Sequence, residues 1–199
     1  MGIRVSNLAG RYDTAKERNI SISPWVSRFL CGTAAGGTVL DVACGGGRHL
    51  RAALAAGYRV TGVDRNLAGL ADLIGKPGVE LIEADLETGA APPFADRQFD
   101  GVIVTNYLWR PILPDIIAAV APAGLLIYET FALGNERFGR PSNPQFLLKP
   151  GELINAVSPF LTTIAFETLA LSKPVKKIVQ RIAAVGPDHP WVSATPAFD

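Results

Sequence analysis

Cysteine is scarce in this chain of 199 residues: Cys31 and Cys44 are the whole supply, and they form no C-x-x-C pair. Two thiols cannot staple a secreted fold, so a hydrophobic core must hold the chain together, and a reducing cytoplasm suits it. Net charge is also lacking. Nineteen basic residues stand against 18 acidic ones, for a formal charge of +1, too weak a field to draw in a polyanion; nucleic acid is therefore disfavoured as a partner. No apolar run reaches the roughly 18 residues that a membrane helix requires. The first residues contain no basic segment leading into an apolar stretch, so neither a membrane span nor secretion is expected. No metal site is expected either.

Apolar material is plentiful, with 48% hydrophobic residues against 19% charged. That is ample for one domain over residues 1–199. It divides into a helical flank (1–36), a first half built of strand and helix units (37–131), and a final part with a long loop, a helix and a hairpin (132–199). In the flank, Ser21 or Ser23 can cap a short helix that begins near Pro24 and carries Val26, Phe29 and Leu30 on one face. Strands are predicted at Thr38–Ala43, Tyr58–Asp64, Val79–Ala84, Asp100–Thr105 and Gly124–Phe131. Helices are predicted at Arg48–Ala56, Leu67–Ile74 and Pro111–Val120. Alternating strands and helices give an α/β, doubly wound, mostly parallel sheet. After the helix Glu152–Val157, the segments Leu161–Leu171 and Val175–Val185 are separated by too few residues for a parallel crossover, so they form an antiparallel hairpin at the end of the sheet.

Polar residues mark the carboxyl ends of the predicted strands: Asp41, Asp64, Asp85, Asn106 and Thr130, about one strand–helix unit apart each time. In an open parallel sheet these ends share an edge, and ligands bind in the crevice just outside it. The turn at that edge is rich in glycine. In VLDVACGGGRH, Val39–His49, consecutive glycines admit conformations closed to other residues and leave no Cβ to keep a ligand away. The helix that follows offers free N–H groups and the positive end of its dipole to a carboxylate. A dinucleotide fingerprint fits poorly, because a G-x-G-x-x-G read from Gly45 meets Leu50 where a third glycine is needed. Asp41 would also bring negative charge close to a pyrophosphate. No Gly-Lys-Ser/Thr ends the turn, which excludes a P-loop.

VLDVACGGGRH resembles motif I of the class I S-adenosylmethionine-dependent methyltransferases. TGVDRN, with Asp64 and Arg65, resembles the acidic end of their second strand, EADLE resembles their adenine-side loop, and FDGVIVTNYLWRP resembles their strand-four motif. A closer resemblance, through ACGGGRH, NYLWRP, YETFALGNERFGRP and FLLKPGEL, is to the tellurite-resistance-like group. The resemblance implies a seven-stranded Rossmann-like methyltransferase sheet closed by the C-terminal hairpin, with S-adenosyl-L-methionine as cofactor. It implies that Gly45 and Gly47 pass beneath the methionine portion, Asp64 accepts from the ribose hydroxyls, Asp85 with the Leu86 backbone reads the adenine and Asn106 lies near the methionine end, with Ala43 and Arg65 among the cofactor contacts. Asp41 suits the α-ammonium and sulfonium on electrostatic grounds. Ala43 stands where the family often has a glycine. Methyl transfer from a sulfonium depends on alignment more than on a protein nucleophile.

A base is needed only for an acceptor of high pKa; by position the candidates are Tyr107, Glu129 and His49, and for His49 the plainer account is a packed helix residue. Tyr107 and Trp109 can line an acceptor pocket. The long segment Phe131–Pro150 reads as a substrate-side loop, from which Arg137, Arg140 and Lys149, with Arg110 nearby, can meet an anionic acceptor. Lys173, Lys176 and Lys177 read as a solvated hairpin turn. After Asn106 the chain lacks the Asn-Pro-Pro-aromatic run of enzymes that methylate base or amide nitrogen. A small-molecule or metalloid acceptor follows as the first expectation. An RNA or protein methyltransferase, or a cofactor-binding protein without turnover, are the alternatives.

Overall fold

The computed structural model describes residues 21–173 and 175–198; the first 20 residues of the expected flank lie outside them. Strand β1 (Thr38–Val42) pairs in parallel with β2 (Arg59–Asp64) and with β4 (Phe99–Thr105), while β2 also pairs with β3 (Val79–Glu83). Strand β5 (Val120–Phe131) runs parallel to β4 and antiparallel to β7 (Lys177–Val185), which in turn holds β6 (Thr162–Leu171) at the edge. The order is β3-β2-β1-β4-β5-β7-β6 in one seven-stranded sheet. This is the doubly wound α/β sheet with a terminal antiparallel hairpin.

Period-2 alternation along the strands sorts the core into two layers. Leu40, Val42, Val102, Val104, Leu126 and Tyr128 face one cluster, roofed by Ile116 of helix α3 (Leu113–Ala118) and by Leu153 and Val157 of helix α4 (Glu152–Val157). Val39, Val60, Ile103, Leu125 and Ile127 face the other. That face is covered by Trp25, Val26 and Phe29 of helix α1 (Pro24–Phe29) and by Leu50 and Ala53 of helix α2 (Arg48–Ala55). Ser23 caps α1, its Oγ accepting from Trp25 N at 3.2 Å, with Pro24 in the first turn.

Two expected helices are corrected. Leu67–Ile74 is a 3-10 segment, Ala68–Leu73. Its two buried residues, Leu70 and Leu73, are three apart, which suits three residues per turn, and Gly69 within and Gly75 after it weaken any α-helical continuation. Pro111–Val120 is a 3-10 turn at Arg110–Ile112 followed by the short α3, because Pro114 cannot donate to the preceding turn and Val120 already pairs with Phe99.

The long loop after β5 is tied down by buried amides. Asn135 Nδ2 donates to Pro141 O and its Oδ1 accepts from Ile178 N. Gln180, fully buried on β7, accepts from Leu153 N at 3.2 Å and donates to Lys149 O at 2.6 Å, joining loop, α4 and sheet. Among the described residues no helix is long and apolar enough to cross a membrane. Gln180→Leu should strand both backbone partners and lower unfolding stability by about 1–3 kcal/mol, measured by urea denaturation.

Candidate functional site

The carboxyl edge of the parallel strands carries two cavities. The first is about 200 Å³ and is lined by Ala43, Asp64, Arg65, Ala84, Asp85, Leu86, Glu87 and Tyr107. The turn that borders it follows directly from the sequence. Gly45 and Gly47 have φ of 52° and 71°, and a Cβ on Gly47 would lie 2.3 Å from Leu70 Cδ2. A Cβ on Gly45 would meet nothing within 4 Å, so that glycine serves backbone conformation beside open space. Asp64 holds the turn: its Oδ2 accepts from Gly45 N at 2.7 Å and its Oδ1 from Asn66 N at 3.0 Å.

Two residues without glycine's freedom also sit in the left-handed region: Ala43 at φ 53° and Asn106 at φ 55°. They end β1 and β4, where non-glycine backbone outliers accompany functional turns. Ala43 therefore keeps the turn that a glycine would make, at the cost of a strained backbone.

Behind the turn lies Asp41, 1% exposed, with neither carboxyl oxygen hydrogen-bonded. Burial pushes its pKa up to about 8; the Arg48 guanidinium opposes that rise and Asp64 adds to it. Beside it His49 is buried, and burial with Arg48 nearby drives its pKa down to about 3. His49 Nε2 accepts from Ser23 N at 3.3 Å, so the proton of the neutral ring sits on Nδ1, 3.4 Å from Thr105 Oγ1. The 3.9 Å separation of His49 Nδ1 from Asp41 Oδ2 joins two neutral groups and is no ion pair. Cys44 is inert: burial raises its thiol far above neutrality.

The second cavity, about 620 Å³, opens on the other side of the turn. Its walls come from residues 21–24 at the start of α1, from Arg48 and Asn106, from Glu129 and Phe131 of β5, from loop residues 135 and 138–140, and from the hairpin between Leu171 and Arg181. Neighbouring Asn106 and Tyr107 line one cavity each.

Of the candidate bases, Tyr107 faces the first cavity, not the second. Burial and the carboxylates of Glu87 and Asp85 hold its phenol well above the usual range, so it is a donor at neutral pH. His49 lines neither cavity. Glu129 does line the second, but Lys177 Nζ at 3.2 Å, Arg181 Nη1 at 3.5 Å and Ser23 Oγ at 3.4 Å occupy its oxygens. Thr130, expected at this edge, is buried on the opposite face of β5 and lines neither cavity.

Among the expected acceptor contacts, Arg140 lines the second cavity. Arg110 does not: it makes a bidentate pair with Glu152 at 2.5 and 3.0 Å and donates to Gln145 O and Leu147 O, so it straps the loop to α4. Arg137 turns back onto Gly134 O, and Trp109 packs against the core. The hairpin turn is solvated as expected, with Lys173 and Lys176 exposed, and it also borders the second cavity. Lys173, Lys176 and Lys177 line the cavity, and Lys177 pairs with buried Glu129. The missed signal was topological: a last strand antiparallel to β5 must begin at the carboxyl edge, and Phe131 indeed faces Val179. Among the described residues no group of three His, Cys, Asp or Glu could hold a metal ion.

Residues 39–124 match the family described as methyltransferase domain. Among solved structures, the chain is similar to TehB from Haemophilus influenzae, at 18% identity and TM-score 0.64. That alignment covers 81% of this chain and 61% of TehB, so this chain spans less than two thirds of TehB's length. It is also similar to the 1,6-didemethyltoxoflavin-N1-methyltransferase of Burkholderia thailandensis, whose structure holds 1,6-didemethyltoxoflavin and S-adenosylhomocysteine (19% identity, TM-score 0.63, 88% of this chain and 82% of that one). A S-adenosylmethionine-dependent methyltransferase from Methanosarcina mazei follows, at 17% identity, TM-score 0.62, and 83% and 98% coverage. At these identities the likeness is one of fold. No curated protein matches the sequence.

Two predictions test this geometry. Ala43→Gly should relieve the strained turn and raise stability by up to about 1 kcal/mol, read from the denaturation midpoint. The second concerns pH. Asp41 has a folded pKa of about 8 against an unfolded 3.8, so the stability it lends is full below about pH 4 and is lost as the pH climbs to about 8. His49, lowered from 6.5 to about 3, has the opposite sign, and its contribution is lost as the pH falls through that window. Above about pH 6.5 Asp41 acts alone. Unfolding stability should then fall by about 1–2 kcal/mol between pH 6.5 and 8, and in Asp41→Asn the curve should be flat there.

Proposed function

We propose that this chain, whose residues 39–124 match the methyltransferase domain family, transfers a methyl group from S-adenosylmethionine to a small-molecule or metalloid acceptor held in the larger cavity. The observation that carries the reading is the pairing of two unlike cavities across Asn106 and Tyr107, one framed by Asp64, Asp85 and a left-handed glycine turn, the other wide and partly apolar.

Bound S-adenosylmethionine supplies a sulfonium methyl group, which passes to an acceptor lone pair as the carbon–sulfur bond breaks. The residues fit that donor. Asp64 has lone pairs left for the ribose hydroxyls beyond its two backbone bonds, and Arg65 stands beside it at the cavity. Asp85 and the backbone of Leu86 serve the adenine, and Tyr107 borders the same cavity. Gly45 and Gly47, with Ala43, let the chain pass close beneath the methionine portion. Asn106 lies toward its reacting end. The unpartnered carboxyl of Asp41 answers the α-ammonium, directly or through a water, and loses its raised pKa when a cation arrives.

The one candidate base that lines the acceptor cavity, Glu129, is already paired with Lys177 and Arg181. Rate therefore comes from holding the acceptor in line with the methyl group, and acceptors already ionised near neutral pH are favoured. A cavity of about 620 Å³ has the capacity of a drug-sized ligand, which favours a small acceptor over a polymer. The 1,6-didemethyltoxoflavin-N1-methyltransferase, a neighbour in fold, holds such a small molecule.

Calorimetry with S-adenosylhomocysteine should show one site, and Asp64→Ala should weaken it about 10- to 100-fold, the loss of charge-assisted hydrogen bonds. Binding that survives Asp64→Ala unchanged, or tight uptake of NADH in place of the nucleoside, would remove this reading.

A further inference from the structure

The second cavity has a charge pattern that methyl transfer alone does not require. Six cationic side chains line it: Arg48, Arg140, Lys173, Lys176, Lys177 and Arg181. Glu129 is the one acidic residue in its walls, and Lys177 and Arg181 neutralise it, Arg181 also pairing with Glu167 at 2.5 Å. That leaves Arg48, Arg140, Lys173 and Lys176 without a carboxylate within ion-pair distance among the described residues. The whole chain is nearly neutral, so this is a local concentration of charge.

The same walls are apolar between the charges. Phe131 and Phe138 contribute rings, Ile22, Leu171 and Val175 aliphatic surface. Lys176 Nζ lies over the Phe138 ring, 4.5 Å from its centroid, so a cation and an aromatic ring are stacked together in the wall. Arg48 is held at the inner end, one residue after Gly47, with Nη1 donating only to Ser21 O at 3.2 Å. Partial burial lowers its pKa, and the charges of Asp41 and Glu129 oppose that change.

We propose that the acceptor site of this chain selects an organic anion: a carboxylate or phosphate ester carried on an aromatic or similarly flat apolar body, its charge met by Arg48, Arg140 and Lys176 and its body by Phe131 and Phe138. The proposal rests on the methyltransferase reading for the fate of the ligand, but the binding selectivity follows from the cavity itself. A bare oxyanion satisfies the charges and leaves the rings uncovered. A neutral ring covers the apolar wall but shields Arg48, Arg140 and Lys176 from water without pairing them. Only a ligand with both parts removes both costs.

The test is calorimetric titration of the full chain with 4-hydroxybenzoate, phenyl phosphate, 4-hydroxybenzamide and inorganic phosphate, in the wild type and in the double variant Arg140→Ala, Lys176→Ala. Either or both aromatic anions should bind at least about tenfold more tightly than the amide and than inorganic phosphate, and the relative strength of the two distinguishes carboxylate from phosphate ester. The double variant should lose at least about tenfold for the anion and keep its affinity for S-adenosylhomocysteine and its melting temperature. Equal binding of the amide, equal binding of inorganic phosphate, or an unchanged anion affinity in the double variant overturns the proposal. Uptake of S-adenosylhomocysteine, read in the same titrations, separates the two readings. Anion selectivity without it leaves this site standing and removes the methyl donor; the converse removes this site alone.

Discussion

Strand β5 pairs in parallel with β4 on one side and antiparallel with β7 on the other, and that double pairing determines where everything else lies. The parallel side brings the ends of β1, β2 and β4, with their glycine turn and carboxylates, to one edge. The antiparallel side makes β7 start where β5 finishes, so the turn of the terminal hairpin overhangs the same edge. A parallel last strand would have needed a long crossover and would have sent that turn to the opposite end of the sheet. Donor chemistry and acceptor chemistry become neighbours through strand direction alone.

The two cavities then differ in electrostatic character. The first gathers carboxylates, Asp64, Asp85 and Glu87 beside Arg65, with the orphaned carboxyl of Asp41 behind the turn. This suits a ligand rich in hydroxyls and amines and carrying positive charge. The second gathers cations around aromatic walls. The proposed acceptor would then meet the positive donor across Asn106 with the opposite charge, and reaction between them would cancel charge, which a partly enclosed site favours. Both neutral forms behind the turn, the protonated Asp41 and the neutral His49, have the same origin in burial.

Much of the architecture was legible because β-strands covered on both faces declare themselves as near-continuous apolar runs. The glycine turn was legible because its spacing has few physical uses. The same burial hid a parity: in an apolar run with Glu129 and Thr130 adjacent, nothing in the sequence says which of the two faces the crevice, and a one-residue difference exchanges faces. Arg110 could not be separated from a ligand-binding arginine, since its partners, Glu152 and the carbonyls of Gln145 and Leu147, are some 35 to 42 residues away. The cavity-lining role of the hairpin lysines was hidden for a related reason. A basic turn is usually solvent, and only the sheet order tells which end of the molecule it caps.

The segment that matches the methyltransferase family ends at residue 124, whereas most of the larger cavity's wall is contributed by residues 21–24 and by residues beyond 129. Ser23 rivets the first of these to the rest, its amide on His49 and its hydroxyl on Glu129. The molecule is thus divided like a tool with a common handle and an interchangeable head. Relatives recognised through the handle share a way of holding the donor, and their heads can diverge without leaving a trace in that match.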